Sequence, residues 1–265
     1  MTLPTSPVLV IPARLGSTRL PRKVLADLHG DPMIVHVWRR AAEAELGEVV
    51  VACDAPEIAE AVERVGGTAV LTDARHPSGS DRIHEAVNAL DAGRRRFDCV
   101  INIQGDIPTL PPAMIRTVHG LLDDPEIDIA TVAGVIDDTA EAARPSVVKA
   151  VVELEEGGRR GRALYFSRAP VPHGPGPWLH HVGIYAYRRE ALDWFIGRAP
   201  TELERREQLE QLRALAAGMV IGVGLVDEVP LGVDTEADLE RVRRTMAAAR
   251  GGVAAAARRL DQSAA

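Results

Sequence analysis

Continuous apolar runs alternate with stretches in which apolar positions recur every three or four residues, and this alternation organises the first half of the chain. Val8 to Ile11 is a run of β-formers stopped by Pro12, the pattern of a strand buried on both faces. Pro32 stands at a first helical position, and Met33, Ile34, Val37, Trp38 and Ala41 after it form one apolar stripe. Glu48 to Cys53 predicts a second strand closed by Asp54. Pro56 to Val65 predicts an amphipathic helix ended by Gly66 and Gly67, and Thr68 to Thr72 a short third strand. Asp81 to Leu90 reads as a helix and Phe97 to Ile103 as the central fourth strand. Such alternation predicts an α/β fold with a Rossmann-like, mostly parallel twisted sheet, right-handed crossovers and ligands at the carboxyl ends of the strands. Arg14 and Asp106 lie at two such ends.

From Ile127 the pattern changes. Asp128 to Val135, Val147 to Leu154, Arg162 to Phe166 and His181 to Tyr187 read as strands separated by loops, a smaller antiparallel lobe added to the parallel sheet. The Pro- and Gly-rich stretch from Pro170 to Pro177 excludes helix and central strand and predicts an irregular loop or lid. Glu190 to Ile196 and Glu202 to Ala217 predict helices, Met219 to Val226 a strand, and Thr235 to Ala249 a last helix with Asp234 just before its cap. No repeat or linker divides the chain, so residues 1–250 form one expected domain, and 251–265 read as a flexible tail of Ala and Arg without a packing signal.

Composition narrows the function. With 265 residues, 46% of them hydrophobic, the chain suffices for one substantial core. A formal charge of −7 argues against a general nucleic-acid binder, which needs a basic surface to displace counterions from phosphates. Met1 to Pro7 lacks a basic leader and the apolar run after it is too short to span a membrane, so no membrane partner and a cytosolic location are expected. Cys53 and Cys99 fall inside apolar runs without metal spacing and read as packing thiols. Lys23 and Lys149 are the sole lysines, and Asn88 and Asn102 the sole asparagines, in a chain rich in Ala, Gly, Pro and Arg. This usage points to a GC-rich genome, in which a retained lysine marks a site needing a compact ammonium rather than a planar guanidinium.

The candidate chemistry starts in the loop after the first strand. It carries Gly16 and Ser17 among Arg14, Arg19, Arg22 and Lys23, so backbone N–H groups and several cations surround one small concave region, suited to a triphosphate. Neither the P-loop nor the dinucleotide fingerprint occurs. Asp106, between Gly105 and Ile107-Pro108, puts a carboxylate at the mouth of the sheet, with a turn-forming role as the alternative. Asp234 precedes a helix, where capping is the alternative. Arg94 to Arg96 read as a solvated loop, and His29, His36 and His84 show no metal spacing.

The motif A-R-x-x-S-T-R-L-P-x-K over residues 13–23 resembles the nucleotide loop of the CMP-sugar synthetases, nearest to the 3-deoxy-manno-octulosonate (KDO) cytidylyltransferase branch. P-M-I-V-H-V (32–37), H-P-S-G-S-D-R (76–82), N-I-Q-G-D-I-P (102–108), A-L-Y-F-S-R-A (163–169), H-V-G-I-Y-A-Y (181–187), L-E-Q-L-R (209–213) and G-V-D-T-E-A-D-L (232–239) are similar to that family in the same order. The resemblance covers nearly the whole chain and implies a fold of the nucleotide-diphospho-sugar transferase type and transfer of a cytidylyl group from CTP to a small acidic acceptor. It implies that Arg14, Leu15, Gly16, Ser17, Arg19, Lys23, Ser78, Gly79, Arg82 and Asp106 bind the nucleotide, with Lys23, Arg14, Arg19, Asp106 and Asp234 catalytic. It further implies that Asp106 and Asp234 hold Mg²⁺, that Gln104, Arg168, His181, Glu210 and Gln211 hold the acceptor, and that the second lobe makes a homodimer.

Three departures touch the acceptor. Ile107 stands where the family has Glu, removing a carboxylate beside the metal site; Arg22 replaces Gly, adding a cation beside the phosphates; and the loop from Ala169 to His181 is short. A KDO-type 3-deoxy-2-ulosonic acid is the expected acceptor. A small phosphonate, in an actinobacterial relative recruited to natural-product synthesis, is the second reading, and a non-catalytic nucleotide-binding sensor or nucleotide-sugar-binding module a remoter one.

Overall fold

A computed structural model describes residues 3–17 and 19–248. The first half builds what its apolar pattern demands: β1 (Pro7–Ala13), a small hairpin of β2 (Asp27–Leu28) and β3 (Asp31–Pro32), α1 (Met33–Ala42), β4 (Glu48–Cys53), α2 (Pro56–Glu63), β5 (Thr68–Leu71), α3 (Gly79–Asp91) and β6 (Cys99–Asn102). β5, β4, β1 and β6 lie side by side in parallel. Val8 and Val10 pack on one face with Ile83 and Val87 of α3, while Leu9 and Ile11 pack on the other with Ile34 of α1 and Ile58 of α2. Both faces are therefore covered, which explains the unbroken apolar run; burial of each such side chain is worth ~1.5–3 kcal/mol. β1 continues through Pro12 rather than stopping there. Val10 gives its carbonyl to the Ile103 N–H, so Pro12, two residues on, faces the same side beyond the last β6 residue paired with β1 and needs no N–H. α3 starts before Asp81, because the Ser78 hydroxyl accepts from the Asp81 N–H and caps it.

The second half extends the same sheet. α4 (Pro112–Gly120), which the sequence reading passed over, opens with Pro112 in its first turn and buries Met114, Ile115 and Val118. β7 (Ile129–Ile136), α5 (Thr139–Ala142), β8 (Lys149–Leu154), β9 (Arg160–Ser167), β10 (Trp178–Arg188), α6 (Arg189–Ile196), α7 (Glu202–Glu207), α8 (Gln211–Ala216) and β11 (Ile221–Val226) follow, then a helical run over 236–248. Strand order is β5-β4-β1-β6-β10-β7-β11-β9-β8. The expectation of a mostly parallel sheet is corrected here: beyond β6 only β7 and β11 are parallel, and β10 is antiparallel to β6, β7 and β8. Nor are the antiparallel strands set apart from the first four. The eleven-residue β10 bonds to β6 through its C-terminal residues and to β7 along most of its length, joining the two halves.

The helix expected over 202–217 is broken. Gln208 adopts the left-handed conformation at φ 53°, and α8 starts afresh at Gln211. In an unbroken helix the carbonyls of Glu207 and Gln208 would accept from N–H groups one turn on. Here Arg168 takes both, through Nε at 2.7 Å and Nη2 at 3.3 Å. Among the described residues no helix is long and apolar enough to cross a membrane. Cys53 and Cys99 are buried and free, and burial raises both thiol pKa values. Ala249 and the stretch 251–265 lie outside the described residues.

One close approach positions the site. A Cβ on Gly105 would lie 2.9 Å from the Pro12 carbonyl oxygen and 3.6 Å from Ile11, so only glycine lets the loop after β6 settle against the end of β1. Gly105→Ala is expected to cost about 1–3 kcal/mol of stability by pushing those loops apart, read by urea denaturation. Wild-type stability would show that the approach is not constrained.

Candidate active site

The loops leaving β1 and β6 and the N-terminus of α3 enclose a cavity of about 340 Å³. Arg14, Gly16, Ser17, Arg19 and Lys23 line one wall, His76 to Gly79 and Arg82 a second, and Gln104 to Asp106 with Asp234 a third. Leu15 does not line it. Its amide N–H donates to Asp54 Oδ1 at 3.0 Å, and the Ser17 amide turns back to the Leu15 carbonyl at 2.9 Å. The expected cradle of Leu15 to Ser17 amides thus lacks two of its N–H groups, one committed to Asp54 after β4 and the other to the loop's own backbone. Positive potential comes instead from Arg14, Arg19, Lys23 and the α3 N-terminus, whose helix dipole favours anions. Arg82 is 3% exposed and donates to Thr72 Oγ1 at 2.6 Å, so its guanidinium is a held charge in that wall.

Lys23 joins the two aspartates. Its Nζ lies 2.8 Å from Asp106 Oδ2 and 3.1 Å from Asp234 Oδ1, and Arg19 Nη2 lies 3.2 Å from the same Asp234 oxygen. A backbone bond brings these distant segments together, the Val233 N–H donating to the Asp106 carbonyl at 2.9 Å. The capping alternative for Asp234 falls away, because Thr235 and Asp238 supply the cap: the Asp238 N–H donates to Thr235 Oγ1, and the Thr235 N–H to Asp238 Oδ2. No cluster of three metal-ligating side chains exists among the described residues. The two carboxylates converge on one point, where an ammonium already sits. That arrangement fits a hard divalent ion held by one or two carboxylates and completed by phosphate oxygens and water.

Two departures noted in the sequence turn out differently. Arg22 has φ 57°, a conformation glycine adopts freely and other residues at a cost of about 1 kcal/mol, which explains the family's glycine. Its guanidinium lies 3.8 Å from Glu57 and does not line the cavity, so it adds no cation beside the phosphates. Ile107 is 8% exposed and packs in the core, so the change from Glu adds core contacts.

A second pocket, about 420 Å³, adjoins the first and shares Pro77, Ser78, Gly79 and Gln104 with it. Gln104, His181, Glu210 and Gln211 line it as the resemblance implied, together with Ser80, Asn102, Gly183, Tyr185, Tyr187, Gln208 and Leu209, which the sequence reading did not single out. Asn102 did carry a signal, as one of two asparagines in the chain. Arg168 does not line the pocket: its Nε, Nη1 and Nη2 donate to the carbonyls of Glu207, Pro145 and Gln208. It shapes the 208–211 wall from behind. Ser80 donates to Glu210 Oε2 at 2.9 Å, tying the first turn of α3 to that wall.

His181 is buried, with Phe166 edge-on and Tyr185 beside it. Burial lowers its pKa to about 3. Thr131 Oγ1 lies 2.8 Å from the Ile184 carbonyl and 3.1 Å from His181 Nε2. The threonine proton goes to the carbonyl, so Nε2–H is the donor to Thr131 and Nδ1 keeps a lone pair. Burial also raises the Tyr185 and Tyr187 phenol pKa values, keeping them neutral.

Because the folded imidazole resists protonation down to about pH 3 while an unfolded one takes the proton near 6.5, the folded state loses stability on acidification across that window. The ring NMR signals of His181 are expected to stay those of a neutral imidazole from pH 8 to pH 5. A midpoint near 6.5 would overturn the assigned burial.

The chain matches the family model described as Cytidylyltransferase over residues 8–221. It is 61% identical over 240 residues to the 3-deoxy-manno-octulosonate cytidylyltransferase of Rhodospirillum centenum, covering 91% of this chain and 93% of that one. It is 57% identical over 243 residues to the protein of the same name from Paramagnetospirillum magneticum, covering 92% and 98%. A solved structure of CMP:2-keto-3-deoxy-manno-octonic acid synthetase complexed with CTP superposes with a TM-score of 0.84 at 43% identity, over 91% of this chain and 98% of that chain. A nucleotidyl transferase from Methanothermobacter thermautotroptrophicus, at 16% identity and a TM-score of 0.55 over 90% and 96%, shares the fold. With a cationic cavity at the strand ends and identity of this extent, the chain belongs to the cytidylyltransferase family.

Proposed function

We propose that this protein transfers the cytidylyl group of CTP to a hydroxyl of a KDO-type 3-deoxy-2-ulosonic acid, releasing pyrophosphate. The observation that carries the reading is the pairing of two adjoining pockets of opposite chemistry. The first is walled by Arg14, Arg19 and Lys23 around two convergent carboxylates; the second has no lysine or arginine in its lining and offers amides, phenols, an imidazole and Glu210. The names and titles of the similar proteins, which specify the same acceptor and CTP, support it.

The acceptor hydroxyl oxygen would attack the α-phosphorus, giving up its proton to water and forming a new P–O bond as the bond to the β-phosphate oxygen breaks and pyrophosphate takes that electron pair. Arg14, Arg19 and Lys23 would neutralise the triphosphate, and the α3 N-terminus at Ser78 and Gly79 would face the nucleotide. Gln104, lining both pockets, would orient the acceptor at the junction. Asp106 and Asp234 would hold Mg²⁺, which supplies Lewis-acid stabilisation of phosphate charge and lowers the pKa of the attacking hydroxyl.

The phosphonate reading fares worse. A dianion entering the second pocket would shed the water around two charges without meeting a lysine or arginine and would face Glu210, whereas a sugar acid brings one carboxylate and several hydroxyls that find donors and acceptors in the lining. A cytosolic location, where CTP is made, is supported by the two free buried thiols. The antiparallel part of the sheet is proposed as the acceptor and homodimer side. The exposed apolar side chains of Val135, Leu154 and Leu164 on β7, β8 and β9 support self-association there. Light scattering is expected to give twice the 28.5 kDa chain mass, and a single-chain mass would refute the dimer.

Pyrophosphate release from CTP with Mg²⁺, assayed in parallel with KDO and a small carboxy-phosphonate, tests the reaction. Efficient turnover of KDO alone is expected; turnover of the phosphonate alone overturns the acceptor, and no turnover of either leaves the sensor. Asp106→Asn is expected to lower kcat by about 10²-fold or more with an unchanged Tm. Near-normal turnover would remove Asp106 from the metal site.

A further inference from the structure

Two side chains in the lining of the second pocket each bury a polar atom that has no hydrogen-bond partner: Asn102 through Oδ1 and Gln211 through Nε2. Asn102 is 3% exposed and Gln211 7%. Asn102 is the last residue of β6, opposite Val10 of β1 and Tyr185 of β10. Strand alternation puts it on the same face as Val100, which packs in the cluster containing Val10, Ile83 and Tyr185. A leucine would suit that face, and an unpaired amide oxygen there costs stability. The chain's other asparagine, Asn88, has its Oδ1 bonded by Arg189. A buried amide kept at a stability cost, on a pocket wall and in a residue type the chain otherwise nearly lacks, calls for a partner that arrives with a ligand.

Neither amide is oriented by a hydrogen bond of its own, and a hydroxyl, which both donates and accepts, satisfies each of them whichever way it turns. We propose that Asn102 is a specificity-determining residue of the acceptor pocket, its side-chain amide hydrogen-bonding an uncharged hydroxyl of the acceptor beside the amide of Gln211. The inference rests on the second pocket being the acceptor site, and it assigns to Asn102 the reading of neutral hydroxyls, separate from the binding of the acid group. The cost of the unpaired amide in the free protein becomes discrimination on binding, since an analogue lacking the hydroxyl leaves the amide unpaired.

The test uses Asn102→Leu, close in size and without the amide, with steady-state kinetics on CTP, KDO and a series of monodeoxy KDO analogues. Expected are a Tm equal to or above wild type, an unchanged KM for CTP, and a KM for KDO raised about tenfold or more. For one deoxy analogue, wild type should discriminate against it while the variant treats it like KDO, a signature that a merely structural role would not produce. Asn102→Ala, which cannot overfill the site, should show the same split between the two substrates if the leucine variant folds poorly. An unchanged KM for KDO, equal rises for CTP and KDO, or retained discrimination in the variant overturns the proposal. Wild-type failure to turn over KDO would instead refute the proposed function and take this inference with it, so the two failures are distinguishable.

Discussion

The ammonium of Lys23, 2.8 Å from Asp106 and 3.1 Å from Asp234, is the contact on which the first cavity depends. It joins the loop after β1, the loop after β6 and the entry to the helical run over 236–248. Two like charges at the mouth of a sheet repel unless a cation lies between them, and the backbone bond from Val233 to Asp106 holds them close enough for one ammonium to serve both. A guanidinium is a larger, planar group and would not fill the same point. That is the physical reason for a lysine here in a chain whose lysine and arginine positions, Lys149 apart, are otherwise all arginine.

The second pocket depends on a different device, in which cations bind backbone carbonyls rather than carboxylates. Lys149, fully buried, donates to the carbonyls of Arg144, Val147 and Arg168. Arg168 in turn takes the carbonyls of Glu207 and Gln208, and Glu207 accepts from Ser167 and from the Arg168 amide. These bonds hold the chain where α7 stops, so that Gln208 to Gln211 form a pocket wall rather than the side of one continuous helix. The Ser80 to Glu210 bond then joins this wall to the first turn of α3, whose preceding residues line the nucleotide cavity. One helix end therefore serves both pockets.

What the chain determined by itself is most of the local elements, α4 and the break after α7 excepted, and the first half of the sheet. Val8 to Ile11, Glu48 to Cys53 and Phe97 to Ile103 are apolar enough to be buried on both faces, and that state needs parallel strands covered by helices. Arg14, Lys23 and Asp106 at strand ends were legible for the same reason. The resemblance carried by the motifs extended this to Gln104, His181, Glu210 and Gln211, all of which line the second pocket. Only the tertiary structure decided the rest. β10 inserts antiparallel beside β6, because period-two alternation states which face is buried but not which neighbour a strand takes. The break at Gln208 carries no Gly or Pro signal, since its cause, Arg168, comes from a strand some forty residues earlier. Arg22 and Arg168 are cations in the sequence, yet one turns to Glu57 and the other to backbone carbonyls, because charge identifies a group and packing decides what it meets. Asn102 was visible as a rare residue, but its unpaired oxygen appears only once the strands around it are in place.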